Sequence, residues 1–277
     1  MSAPLTVGDA VELAPGIRRL LAPNPGPMTG PGTNTYLIGE KEVAVIDPGP
    51  KIARHISAIQ EAAAQRIKWI LVTHTHPDHS PAACELAAAT GAQLLGKLAP
   101  PGKLQDRTFV ADRVLQDGDL LETEEFRLSA VHTPGHASNH LCYRHEATGW
   151  LFTGDHIMSG STVVINPPDG DMKDYLESLA RLKTLNLSAL APGHGPLIED
   201  PDDAVDRLVE HRLKRESKVL ACLATNPNST VAQLTGCVYD DVPNALHPLA
   251  QRSLSAHLLK LEKENRADRS NESWRLT

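Results

Sequence analysis

A chain of 277 residues, 41% of them hydrophobic, can bury a sizeable core as one large domain or one domain with a small appendage. A formal charge of −7 sets it apart from generally basic nucleic-acid proteins, and the 21 prolines and 19 glycines point to many loops. No apolar run of spanning length and no basic, apolar leader occur, so a cytoplasmic protein without membrane contact is expected. The four cysteines, Cys84, Cys142, Cys222 and Cys237, include no C-x-x-C pair and are expected to be reduced, buried thiols.

Residues 11–23 alternate weakly and predict an opening strand or two. The Pro- and Gly-rich run from Asn24 to Gly39 predicts a structured loop, with a strand beginning at Thr35. A strand over Val43–Ile46 ends in Asp47, placed either to cap the loop or to hold metal ligands. Apolar residues at Ile52, Ile56, Ile59 and Ala63 predict a helix from Lys51 to Gln65. A buried strand, Ile67–Val72, then delivers T-H-T-H-P-D-H-S at 73–80. Side chains of an extended segment alternate, so His74 and His76 point the same way and can share a metal, while Asp78 and His79 serve a second. An Ala-rich helix over 81–90 is expected, with Ser80 as its N-cap and Pro81 in its first turn. The piece from Ala99 to Arg107 reads as a loop that would cover a site.

The strand Phe126–Val131 delivers H-T-P-G-H-A-S-N-H, in which the Pro134-Gly135 turn presents His136 as a third ligand for the first metal. Of His132 and His140, one could support a ligand and His140 could face the substrate, but a structural role is favoured for each; His156 also reads as structural and His145 as surface. A strand over Gly149–Thr153 ends in Gly154-Asp155, and a carboxylate there can bridge two cations, which imidazole cannot. A helix over 172–185 precedes a strand at 188–191, whose end, P-G-H-G-P, brings His194 to the second metal.

The ligand sets are then His74, His76 and His136 for one ion, and Asp78, His79 and His194 for the other, with Asp155 between them. Nitrogen and oxygen donors without thiolate suit two zinc ions per chain, iron or manganese fitting the same donors. Such a pair lowers the pKa of a shared water and polarises the attacked group, so hydrolysis is the expected chemistry, with Asp78 orienting the hydroxide and taking its proton.

In order, H-x-H-x-D-H, P-G-H, G-D and G-H-G resemble the metallo-β-lactamase superfamily. The resemblance implies an α+β fold, a four-layer αββα sandwich with a binuclear site at one edge of two packed sheets. The 24–39 loop, H-T-P-G-H, F-T-G-D-H and H-R-L-K-R-E-S are similar to the β-lactamase-like protein 2 family, which includes an endoribonuclease and uncharacterised hydrolases. L-H-P-L-A through H-L-L-K-L-E-K-E is similar to that family's winged-helix-like appendage. A catalytic domain at 1–205 and a C-terminal domain at 206–277 are therefore expected, joined by the acidic, linker-like stretch Glu199–Asp206. Residues 211–277 hold ten basic and seven acidic side chains, a modest surplus that favours a lid or dimer module over a phosphate-binding face.

The 38 residues between Asp155 and His194 leave no room for the inserted domain of β-CASP nucleases. No flavodoxin-like region follows Pro201, as flavin-linked relatives require. The favoured function is hydrolysis of an ester, thioester, lactone or β-lactam-like carbonyl in a small-molecule substrate by a metal-bridging hydroxide. A single-strand RNA or DNA phosphodiesterase is the alternative, which would need a basic groove at Lys214, Arg215, Lys218, Arg252 and Lys260. A non-enzymatic metal- and DNA-binding regulator comes third, and a homodimer stays open.

Overall fold

The strand V-A-V-I at Val43–Ile46 is buried at every position, and its side chains divide by parity. Val43 and Val45 enter one apolar cluster and Ala44 and Ile46 another, as the two-residue period of a strand requires when both faces are covered. This strand lies at the centre of the first of three sheets in the computed structural model, which describes residues 5–277. Compactness divides the chain into two units. The first comprises the described residues through Thr133, Asn139–Thr162 and Leu185–Pro201; the second comprises Pro134–Ser138, Val163–Thr184 and Asp202–Thr277.

In the first unit, β1 (Val11–Ala14), β2 (Ile17–Leu21), β3 (Asn34–Ile38), β4 (Val43–Ile46), β5 (Ile67–Leu71), β6 (Gln93–Gly96) and β7 (Arg113–Val114) form a seven-stranded sheet in chain order. Its first four strands pair antiparallel, and the rest run parallel from β4 onward. Parallel neighbours need crossover connections, supplied by α1 (Ala53–Ala62) between β4 and β5 and α2 (Ala83–Thr90) between β5 and β6. Ile56 and Ile59 of α1 and Leu86 of α2 pack with Leu37, Val45 and Ile70 on one face of the sheet. On the other face, Tyr36, Ile46 and Leu71 meet Leu128, Tyr143 and Phe152 from a second sheet, forming the core between the sheets.

That second sheet has five strands, β8 (Leu120–Glu122), β9 (Arg127–His132), β10 (Leu141–His145), β11 (Trp150–Gly154) and β12 (Ala189–Pro192), in spatial order β12-β11-β10-β9-β8. Four of them form an antiparallel meander, and β12 adds parallel to β11.

The second unit carries α3 (Met172–Leu182), α4 (Pro201–Thr225), α5 (Val231–Val238) and α6 (His247–Lys263), with a small sheet in the order β13 (Ser229–Thr230), β15 (Ser273–Leu276), β14 (Ala267–Ser270). Val219 and Leu223 of α4, Leu234 and Val238 of α5, Leu254, Leu258 and Leu261 of α6, and Trp274 of β15 form its core. Thr230 opens α5 with a capping box to Gln233. The β14–β15 hairpin turns through Asn271 at φ 56°, a conformation asparagine tolerates. Among the described residues no helix is long and apolar enough to cross a membrane.

Several local expectations are corrected. The first helix stops at Ala62 because Ala64 and Gln65 both take positive φ. Ser80 caps nothing, since its hydroxyl donates to Asp106 Oδ2 and α2 begins only at Ala83. The acidic stretch 199–206 is no linker beyond Asp200, because Pro201 already opens α4. His145 is buried rather than on the surface, with Nδ1 against Thr148 Oγ1. Cys222 and Cys237 form a disulfide joining α4 to α5, which leaves Cys84 and Cys142 as thiols.

Candidate metal centre

Each motif of the first unit leaves the carboxyl end of a strand: Asp47 after β4, the 73–80 run after β5, Asp155 after β11 and His194 after β12. Backbone pairing ceases there, so side chains at strand ends can converge on one point. The loop carrying His194 is fixed from a distant part of the chain. Asn34 Nδ2 donates to the carbonyls of Pro192 (2.9 Å) and Gly195 (2.8 Å), Tyr36 OH donates to Pro192 O, and Asn34 N donates to Gly193 O.

Asp78, His79, Asp155 and His194 come together so that one donor atom of each lies within 4.8 Å of the others. His79 Nε2 is 3.2 Å from Asp155 Oδ1 and 3.7 Å from Asp78 Oδ2. His194 Nε2 is 3.2 Å from Asp78 Oδ2 and 3.3 Å from Asp155 Oδ1. Neither Nε2 makes a hydrogen bond, although both are buried. A buried imidazole nitrogen lacking a hydrogen bond is costly, and two converging on two carboxylates fit a shared cation. Glycine is required to let the groups approach. A Cβ on Gly193 would stand 2.7 Å from His79 Cε1 and 2.9 Å from Asp155 Oδ1. One on Gly154, at φ 45°, would stand 2.5 Å from Thr73 Oγ1.

The partners on the far side of the rings set where their protons sit. His79 Nδ1 donates to Asp47 Oδ2 (2.8 Å), and His194 Nδ1 to Gly32 O (3.1 Å), because a carboxylate and a carbonyl can only accept. Thr73 gives its hydroxyl proton to Asp47 Oδ2 (2.7 Å), so the 3.0 Å contact with His74 Nδ1 has the ring as donor. In the neutral rings of His74, His79 and His194 this leaves the Nε2 lone pair for a ligand. His74 Nε2 faces His76 Nδ1 at 3.0 Å, with ring centroids 4.5 Å apart. Asp47, 1% exposed and at φ 50°, accepts from Thr73 N as well, and so braces both the strand end and His79.

The electrostatics follow from burial and charge. Burial works against a charged ring at His79 and His194, but the carboxylates outweigh it: Asp155, Asp78 and Asp47 hold His79 well above its usual value, and Asp155 and Asp78 raise His194 to about 10. Burial likewise opposes ionisation of Asp155 and Asp78, and the same imidazoles overcome it, keeping both below the usual carboxylate range. Burial, reinforced by His79, His76 and His140, pushes His74 well below its ordinary value.

His136 stands on the Pro134–Ser138 turn of the second unit, where its Nδ1 donates to Val164 O (2.8 Å). His140 is fully buried, its ring 5.0 Å from that of His74 and its Nδ1 2.9 Å from Thr133 Oγ1. His156 is buried 5.9 Å from His140, and the backbone N–H of His132 donates to Asp117. The loop at 99–107 reaches the 73–80 run, with Asp106 N donating to Thr75 O (2.6 Å). Thr73 and Asn34 were not singled out from the sequence. An amide opening the fully buried β3 and a hydroxyl just past the buried end of β5 must find partners, and that is the signal the sequence offers.

A model of the metallo-β-lactamase superfamily matches residues 28–194, and one of the β-lactamase-associated winged helix domain matches residues 230–274. A β-lactamase-like protein 2 homolog of Caenorhabditis elegans is 33% identical over 269 residues, covering 94% of this chain and 89% of that protein. An atrochrysone carboxyl ACP thioesterase of Aspergillus fumigatus is 30% identical over 250 residues, covering 83% and 76%. The crystal structure of a metallo-β-lactamase family protein from Thermus thermophilus superposes with a TM-score of 0.81 at 24% identity, over 96% of this chain and 100% of that one. Sequence relatives across nearly the whole length, a shared fold and a built His/Asp cluster converge. The chain belongs to the metallo-β-lactamase superfamily, carries its associated winged helix, and is a metal-dependent hydrolase.

Proposed function

We propose that this protein is a binuclear zinc hydrolase of small acyl substrates, with thioesters the foremost class. The observation carrying the proposal is the pair of buried Nε2 atoms of His79 and His194 directed at Asp78 and Asp155. In this reading Asp78, His79 and His194 would hold one ion and His74, His76 and His136 the other, with Asp155 as a further carboxylate ligand. Two such cations supply an acidified water and a Lewis acid for the attacked carbonyl.

The chain's own residues have separate tasks. Asp78, with its side chain 24% exposed against 10% for Asp155, is the carboxylate open to incoming water, which it orients and deprotonates. Asp47 and Thr73 fix the tautomers of His79 and His74. Asn34 holds the loop of His194. His140, buried beside His74, is the candidate for protonating the leaving group. The thioesterase among the relatives, 30% identical, supports a thioester over the other acyl classes.

The winged helix favours the second reading, a phosphodiesterase acting on single-stranded nucleic acid, but its charges do not. Of the five cations expected to line such a groove, four are paired: Lys214 with Glu210, Arg215 with Asp241, Lys218 with Asp240, and Lys260 with Glu216 and Glu264. Cations already matched to carboxylates make a poor phosphate-binding face. Metal-reconstituted turnover on a split panel tests the proposal, with nitrocefin, thioesters and lactones against single-stranded RNA and bis-nitrophenyl phosphate. Acyl turnover lost in Asp78→Ala is expected. Activity retained in that variant would refute the role of Asp78, and RNA cleavage lost in it would transfer the assignment to the phosphodiesterase.

A further inference from the structure

The turn that presents His136 is held by the segment running from Val163 into α3. Pro134 O accepts from Ser178 Oγ (2.8 Å), and Gly135 O from Asp171 N (2.8 Å). His136 Nδ1 donates to Val164 O (2.8 Å), and Ser138 N to Asp169 Oδ1 (3.3 Å). Gly135, at φ 142°, lies so close to Tyr175 that a Cβ would stand 2.4 Å from Tyr175 Cα. The direction of the His136 ring is thus inherited from residues 163–178.

Those residues are gripped in turn by the C-terminal helices. Arg212 of α4 donates from Nη2 to Val163 O, the carbonyl next to the one that takes the His136 proton. Its Cζ lies 5.4 Å from the centroid of the Tyr175 ring, and the residue is 3% exposed. Lys263, in the last turn of α6, pairs with Asp171 Oδ2, while Oδ1 of the same carboxylate caps α3 through Lys173 N and Asp174 N.

We propose that Arg212, seconded by Lys263, is a positioning residue for His136, so that the helices of the winged module set the aim of a metal ligand. The proposal rests on the reading of His136 as a ligand. Its physical basis is the choice of partner. A buried guanidinium is costly to desolvate, and for stability alone an apolar side chain of similar volume serves as well or better. Here the guanidinium faces a carbonyl and an aromatic ring, where its fixed fork defines the position of the backbone. Through two consecutive peptide groups, that position determines where the His136 ring points.

The test compares Arg212→Met, Lys263→Met and His136→Ala in the full chain. Its readouts are zinc affinity by chelator competition, the visible spectrum of the cobalt-substituted protein, and thermal unfolding. His136→Ala is expected to lose one of two ions. Arg212→Met is expected to bind that same ion roughly 10- to 100-fold more weakly, with an altered cobalt band and the other ion unchanged. Lys263→Met, at a half-exposed pair, should show a smaller loss in the same ion. If Arg212→Met lowers the melting temperature but binds both ions as the parent does, Arg212 is structural and the inference is overturned. Should Arg212→Met not fold, unchanged ion binding in Lys263→Met overturns it equally. Both ions retained in His136→Ala would remove the ligand assignment itself, an outcome separate from a failure of Arg212 alone.

Discussion

Replacing Asp47 by asparagine should leave the fold standing while disabling one of the proposed metal ligands, His79. Asp47 accepts three hydrogen bonds, from Thr73 N (2.7 Å), Thr73 Oγ1 (2.7 Å) and His79 Nδ1 (2.8 Å). Asparagine tolerates the φ of 50° as well as aspartate does, and its carbonyl can keep the bond to Thr73 N. Its amide group, however, puts N–H donors where Oδ2 accepted. The neutral His79 ring must then turn an Nδ1 lone pair toward the introduced amide and carry its proton on Nε2, the atom facing Asp155 and Asp78. Losing one charge-assisted bond outright and weakening another should cost about 2–4 kcal/mol of stability. The ion at His79 should bind about 10- to 100-fold more weakly, or about 1.4–2.7 kcal/mol. Chelator competition on the metal-loaded protein, run alongside urea unfolding of Asp47→Asn and Asp47→Ala, separates the two effects. Unchanged metal affinity in a destabilised Asp47→Asn protein would refute the tautomer argument and reduce Asp47 to a loop brace.

Three further outcomes are expected. Gly154→Ala should cost about 2–4 kcal/mol, from a Cβ at 2.5 Å from Thr73 Oγ1 on a left-handed backbone, and should displace Asp155; metal content and stability both equal to the parent's would contradict this. His257 is fully buried in the second unit, and burial, reinforced by Arg212, Lys260, Arg215 and His211, holds it at about 3 against an ordinary 6.5. The unfolded chain therefore takes up this proton first, and the contribution of His257 to stability, constant above about pH 6.5, is lost as pH falls toward 3, at up to about 1.4 kcal/mol per pH unit. The pH profile of urea unfolding should be flatter in His257→Leu, and an identical slope would count against the assignment. The disulfide between Cys222 and Cys237 spans a sequence separation of 15, so its loss in Cys222→Ser should cost about 3 kcal/mol in the second unit. Superimposable unfolding curves with and without reductant in the parent protein would show that it contributes nothing.

The candidate metal ligands stand out in the sequence because a strand end concentrates chemistry into a few consecutive positions. His74, His76, Asp78 and His79 fall within six residues, and the glycines around His194 and before Asp155 mark tight approaches that any side chain would block. What escaped were partnerships across long stretches of chain. Ser80 looks like a helix cap by local rules, yet its hydroxyl goes to Asp106. Cys222 and Cys237 lack a recognisable spacing and meet because α4 and α5 pack side by side. The basic count of the C-terminal region gave the right sum but not its meaning, since Arg215 and Lys260 are buried against Asp241 and Glu216. Composition counts charges; only packing shows which are already matched.

The bonds from Asn34 to the carbonyls of Pro192 and Gly195 join positions 158 and 161 residues apart. During synthesis, then, the histidine run at 73–80 leaves the ribosome long before His194 exists, and Asn34 waits longer still. The entropic cost of closing so long a loop grows only logarithmically with its length, so the delay is one of time rather than of free energy. A nascent or truncated chain that stops short of β12 displays most of the histidines with nothing to complete the cluster around Asp78 and His79. The order of translation thus keeps the hydrolytic centre unassembled until both sheets are in place.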